Sequence, residues 1–144
     1  MIDKRIWNNL KLGLDMLYEN DQYLISIEGG HHVSERSIAH KLGCYLSNLI
    51  NEYNVDCEFN RNLDAVIHKR GSNKDNLVVI EVKPWWNHKK EDFINDENKL
   101  LYLTDSNYQY KYKYGLSLII KLNRGDTEVK IFIDGKTDDI YYKI

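Results

Sequence analysis

The chain has 144 residues, of which 42% are hydrophobic and 29% charged, proportions that suit one compact domain spanning 1–144 and leave little room for a second. Twenty Lys and Arg against twenty-two Asp and Glu give a formal charge of −2 and a pI near 6.2, which excludes a polybasic or histone-like protein and makes any nucleic-acid site a local one. No window approaches the ~18 consecutive apolar residues of a membrane helix, and Met1-Ile2-Asp3-Lys4-Arg5 runs directly into amphipathic sequence, so a soluble, cytoplasmic protein without membrane contact is expected.

From Lys4 to about Glu19, Ile6, Trp7, Leu10, Leu14, Leu17 and Tyr18 recur at three- and four-residue steps, which predicts a half-buried helix ended by Asn20-Asp21. After a short segment, Tyr23 to Ile27, and the Gly29-Gly30 pair, Ser34 is a good N-cap with Val33 placed as a hydrophobic staple. A second helix is expected from there to about Glu52, with Ile38, Leu42, Tyr45, Leu46 and Leu49 as its stripe and Glu35 near the positive end of its dipole. The period then changes to two: Val55, Cys57 and Phe59 alternate with polar residues, predicting a strand over 55–60. Leu63 to Lys69 and Leu77 to Lys83 read as a hairpin about the polar segment Arg70 to Asp75. Pro84 follows, then a third helix over about Lys90 to Leu103, and two more strands, Tyr114 to Leu122 and Thr127 to Ile133, flank the turn Asn123-Arg124-Gly125-Asp126. The order α-α-β-β-β-α-β-β predicts an α/β fold with a mixed central sheet flanked by helices. Cys44 and Cys57 have no CxxC spacing and no second pair, so reduced thiols are expected.

Asp64 and the tripeptide Glu81-Val82-Lys83 hold the most chemical information. Alternation along a strand puts Glu81 and Lys83 on one face. A four-residue loop, Gly71 to Lys74, would pair Arg70 with Asp75, make every pair sum to 145, and set Asp64 opposite Glu81; a one-residue slip would turn them to opposite faces. Two adjacent carboxylates repel unless a cation or proton lies between them, and hard oxygen donors favour Mg²⁺ or Mn²⁺. Such an ion activates water and neutralises charge on a phosphodiester, with a neighbouring lysine orienting the water or stabilising the transition state. The alternative is an ordinary solvated strand face with a surface ion pair. Against it, apolar residues on both faces of Leu77 to Lys83 predict a central strand, where charge needs a reason.

Asp64 followed by Glu81-Val82-Lys83 on consecutive strands resembles the PD-(D/E)xK, or restriction-endonuclease-like, nuclease superfamily. Glu35, on the helix before the sheet, extends the resemblance, as does the order helix, three strands, helix, strand over about 34–122, with an extra N-terminal helix and a C-terminal strand outside that core. The chain is also similar in size to Holliday-junction-resolvase-like and mobile-element nucleases. The resemblance implies a nuclease, most simply a DNA endonuclease, in which Asp64, Glu81 and the backbone carbonyl of Val82 ligate Mg²⁺ or Mn²⁺. It further implies that Lys83 acts on the water or phosphate and that Glu35 is an accessory acid. Leu63 stands where the motif's proline would be, and Pro84-Trp85-Trp86 is an unusual continuation. The reading from another class is a non-catalytic nucleic-acid- or protein-binding module on the same fold; an inhibitor or assembly factor is a third.

Trp85 and Trp86 interleave with Lys83, His88, Lys89 and Lys90, a pattern suited to phosphate contacts and base stacking. Lys99 is a further candidate contact on the third helix, with a plain intrahelical pair to Asp96 as the simpler reading. Tyr108, Tyr110, Tyr112 and Tyr114 alternate with Gln109, Lys111 and Lys113, which suggests an edge strand guarded by lysines rather than a nucleic-acid ladder. His31, His32, His40 and His68 form no recognised metal pattern, although His31 and His32 precede Glu35 closely. No phosphate loop or nucleophile elbow is present, which removes NTP hydrolysis and serine acyl transfer. One site per chain would need a two-fold homodimer to cut both strands of a duplex.

Overall fold

The computed structural model describes residues 1–26, 33–60 and 62–144. Among these, three helices and six strands form an α/β fold: α1 (Lys4–Asn20), α2 (Glu35–Leu49), β1 (Asn54–Phe59), β2 (Leu63–His68), β3 (Val78–Pro84), α3 (Lys90–Thr104), β4 (Tyr114–Ile120), β5 (Glu128–Ile133) and β6 (Lys136–Lys143). The strands make one sheet in chain order, antiparallel throughout except for β3 and β4, which run parallel and are joined through α3. No helix among the described residues is long and apolar enough to cross a membrane.

Helix boundaries follow local chemistry. The Asp3 carboxylate caps α1 by accepting from the backbone N–H of Arg5 at 2.9 Å, and Ser34 Oγ caps α2 by accepting from that of Ser37 at 3.3 Å. The second helix stops at Leu49, short of the expected Glu52, because Ile50 turns extended and drops into the core. The sheet separates two layers of packing. Ala65, Ile67, Val78, Ile80 and Val82 meet Leu14, Leu17, Ile38, Leu42 and Leu46 of α1 and α2 on one face; Val66, Val79 and Phe132 meet Leu100 and Leu103 of α3 on the other. At 0–5% exposure these side chains form a dry core on both sides, which makes β3 and β4 central strands, buried along their whole length.

The register of β2 against β3 is Ala65↔Ile80, Val66↔Val79 and Ile67↔Val78, each pair summing to 145, as expected. The loop expected to produce it is corrected. β2 ends at His68 and β3 begins at Val78, so Arg70 and Asp75 do not pair; Arg70 turns back onto Asp56 of β1, Leu77 N–H still donates to the Ile67 carbonyl of β2, and the carbonyls of Asn76 and Leu77 accept from the N–H groups of Lys113 and Tyr114. The register survives because each strand has a face that must bury, and parity follows from that rather than from the turn.

Two further expectations are corrected. Tyr108 to Lys113 form an irregular connection rather than an edge strand: Tyr112 and Tyr114 are buried, and β4 lies between β3 and β5. The sixth strand was missed, because Lys136-Thr137-Asp138-Asp139 hides the two-residue period. Its signal was the Asp134-Gly135 pair, both at positive φ (50° and 69°), the backbone of a tight hairpin turn. Ile27 and the Gly29-Gly30-His31-His32 segment lie outside the described residues.

Candidate functional site

The expected face of β3 turns toward α3. Glu81 and Lys83, 2% and 5% exposed, share it with Val79, while Val78, Ile80 and Val82 face the other layer. The paired ladder between β2 and β3 stops at Ala65↔Ile80. Beyond it the Asp64 carboxylate takes over from the backbone, its Oδ2 accepting from the N–H of Val82 at 2.7 Å. That contact holds Asp64 beside Glu81 at the end of the pairing. The α3 helix supplies Asp96 and Lys99, one turn apart, and the first turn of α2 supplies Glu35.

These groups interlock. Lys83 Nζ donates to Glu35 Oε1 at 2.8 Å and to Asp96 Oδ2. Lys99 Nζ donates to Glu81 Oε1 at 2.9 Å and to the carbonyl of Asn62 at 2.7 Å, and lies 3.4 Å from Asp96 Oδ1. The pair Asp96–Lys99 therefore exists within the helix, but each member's shorter contact reaches across to the sheet. Asp96, 8% exposed, is the site residue the sequence reading passed over. Its signal was position: it falls on the buried stripe Asp96, Leu100, Leu103 and Thr104, where an acid has no place unless a cation meets it.

With all four carboxyl groups ionised, the two ammonium groups would leave two negative charges unmatched in a largely buried site. The imbalance falls on the acids. Burial, followed by the charges of Asp64 and Asp96, pushes Glu81 up to about 9 despite its bond to Lys99. Burial also raises Asp64, against the opposing pull of the Val82 N–H and of a hydrogen bond from Glu81, and it raises Glu35 against the pull of Lys83. For Lys83 burial favours the neutral amine, but Asp96 and Glu35 outweigh it and hold the ammonium above its ordinary range. Lys99 is raised in the same way by Glu81 and Asp96. Both lysines stay charged at neutral pH, and Glu81 carries a proton there.

The chain matches no protein-family model, no curated protein and no solved structure.

The donor set suits a hard divalent cation. Asp64 and Glu81 adjoin one another; with every acid ionised the unmatched charge is that of one such ion, and the proton on Glu81 takes up half of it. Among the described residues, no three His, Cys, Asp or Glu side chains converge as a ready-made cage, since the lysines lie among the acids. The Val82 carbonyl lies 3.5 Å from Lys83 Nζ, beside the same group of side chains.

Of the candidate nucleic-acid contacts, Lys99 belongs to the site itself. Trp86 and Lys89 line a cleft of about 500 Å³ together with Ser34, Glu35 and His88, so the cleft opens onto the Glu35 end of the site. Lys90 is exposed on the first turn of α3. Trp85 is half-buried: its indole N–H donates to the carbonyl of Ile25 at 2.9 Å and its ring meets Trp86 edge-on, so it braces the segment after β3. A cleft of about 860 Å³ between α1 and the β5–β6 hairpin, lined by Trp7, Ile131 and Ile133, contains none of these charged groups.

Proposed function

We propose that this chain is a divalent-metal-dependent nuclease with a restriction-endonuclease-like core over about 34–122, hydrolysing a phosphodiester bond, most simply in DNA. The observation that carries the reading is the cluster in which Asp64, Glu81 and Lys83 share one sheet face at the end of the β2–β3 pairing, where the carboxyl groups outnumber the ammonium groups by two. An isolated buried charge imbalance costs several kcal/mol and is retained where it has work to do. The superfamily resemblance of the same residues supports this reading. Mg²⁺ or Mn²⁺ would be held by Asp64 and Glu81, with the Val82 carbonyl beside them, and would supply an activated water and charge neutralisation at the phosphate.

The chain's own groups divide the remaining work. Lys83, kept charged by Glu35 and Asp96, serves as a fixed cation that orients the attacking water and stabilises charge developing on the phosphoryl oxygens. An ammonium held above its ordinary pKa is a poor general base, so the water's proton passes to another acceptor. Glu35 and Asp96 position Lys83 from two sides. Lys99 is drawn from Glu81 toward substrate phosphate when the carboxylate is otherwise engaged. The water oxygen forms the new P–O bond as its proton passes to solvent, the ester P–O bond opposite breaks, and the leaving oxygen takes a proton from solvent and departs as a hydroxyl.

The test is cleavage of linear, single-stranded and four-way-branched DNA and of RNA, with Mg²⁺, Mn²⁺ or EDTA. Metal-dependent cutting that disappears in Lys83→Ala is expected; retained binding of nucleic acid without cutting would favour the non-catalytic module. On linear duplex, one site per chain predicts single-strand nicks unless two copies pair.

A further inference from the structure

A second built pocket lies at the other end of β2. His68 lies on the same strand face as Asp64, four residues further along and so about 13 Å away at roughly 3.3 Å per residue. It is 3% exposed, and its Nε2 lies 2.7 Å from Asp56 Oδ2, the same oxygen that Arg70 Nε reaches at 2.9 Å. Arg70 lowers Asp56 to about 2, so the carboxylate is the acceptor and Nε2 carries the hydrogen. In the imidazole form Nδ1 is then an acceptor, and it has no partner among the described residues. The hydroxyl of Tyr112, a residue 2% exposed, has none either; burial pushes it up to about 12, so it remains a donor.

No side-chain nitrogen or oxygen among the described residues is both sealed and unpartnered, so these two atoms keep some access to solvent, and both residues line one cavity. That cavity holds about 190 Å³, the room of roughly six waters at about 30 Å³ each. Phe59, whose ring meets His68 edge-on at 4.7 Å, and Tyr110 supply aromatic walls. The one charged lining residue, Arg70, is already committed to Asp56, so nothing in the cavity calls for a phosphate, a carboxylate or a metal ion. The occupant that fits is small, flat and neutral, with a donor and an acceptor on its edge.

We propose that this cavity binds a single nucleobase, its edge hydrogen-bonded to His68 Nδ1 and the Tyr112 hydroxyl and its faces against Phe59 and Tyr110. The base could belong to a free nucleoside or be turned out of a strand, and stacking on aromatic rings suits either source. None of the carboxylate–lysine residues takes part, so this site stands or falls apart from the nuclease reading.

The test uses the full chain with ¹⁵N-labelled histidine in EDTA, titrated with each of the common nucleosides at millimolar concentration and then with a short single-stranded DNA. The His68 Nδ1 resonance should move saturably with at least one nucleoside, or with the oligonucleotide alone if the base must come from a strand. Tyr112→Phe, which keeps the ring and deletes one neutral hydrogen bond, should weaken binding about 2- to 12-fold. Tyr23→Phe, at an exposed tyrosine elsewhere, should leave it unchanged. An unmoved His68 resonance in both titrations would overturn the proposal, as would binding indifferent to Tyr112→Phe.

Discussion

Replacing Glu81 by glutamine should stabilise the protein by an amount that grows with pH. Glu81 is 2% exposed, and burial with the charges of Asp64 and Asp96 raises it from 4.5 to about 9 on folding. Between those values the folded chain holds a proton that the unfolded chain has released, so the stability contributed by protonated Glu81 is fully present below 4.5 and is lost as pH rises toward 9. The loss runs at up to about 1.4 kcal/mol per pH unit. Glutamine has no proton to lose and nearly the same shape. In EDTA the variant's advantage should therefore widen by about 3 kcal/mol from pH 6 to pH 8, read from urea unfolding at both values. An advantage that stays constant across that range, or shrinks, would refute the view of Glu81 as a buried acid kept protonated by its neighbours.

Lys83→Met should destabilise the chain by about 3–5 kcal/mol, since it strands Glu35 and Asp96 without their cation; adding Asp96→Asn should recover part of the loss, a non-additivity that a double-mutant cycle in urea would measure. Mg²⁺ at tenfold its dissociation constant should stabilise the wild type by about 1.4 kcal/mol, a few degrees in a melt, and Asp64→Asn or Glu81→Gln should abolish the gain. Because the ion must displace the Glu81 proton, the gain at one fixed Mg²⁺ concentration should be larger at pH 8.5 than at pH 6.5. Gly43→Ala should cost about 1–3 kcal/mol despite the better helix propensity of alanine, because the new Cβ would lie 2.3 Å from Cys57 Sγ; Cys57→Ala in the same chain should relieve it, as thermal melts of the three variants would show.

The helices and the parity of the central strands were legible because both depend on which side chains must bury. Ile6, Leu10, Leu14 and Leu17 mark α1 whatever the rest of the chain does, and alternation in Val78 to Lys83 fixes which residues share the face of Glu81. The register of β2 against β3 came out as expected even though its loop did not, since the turn only has to accommodate a pairing that the two apolar faces already require. What stayed hidden depends on contacts distant in sequence. Asp96 was explained away by Lys99 three residues on, because the sequence alone does not bring Lys83 across from β3. The tyrosines at 108–114 alternate like a strand, yet Tyr112 and Tyr114 are buried in different clusters on either side of the sheet, and the lysines between them guard no edge. The His68 cavity likewise depends on β1, β2 and the connection before β4 meeting at one point.

The central claim is that Asp64, Glu81 and Lys83 form one hydrolytic site, and the most direct test is metal-dependent cleavage by the wild type beside Lys83→Ala and Glu81→Gln, each shown to be folded. The account predicts cutting with Mg²⁺ or Mn²⁺ and none with EDTA, loss of cutting in both variants, and retention of metal-induced stabilisation in Lys83→Ala alone. Cleavage undiminished in the two variants, or insensitive to EDTA, would contradict it.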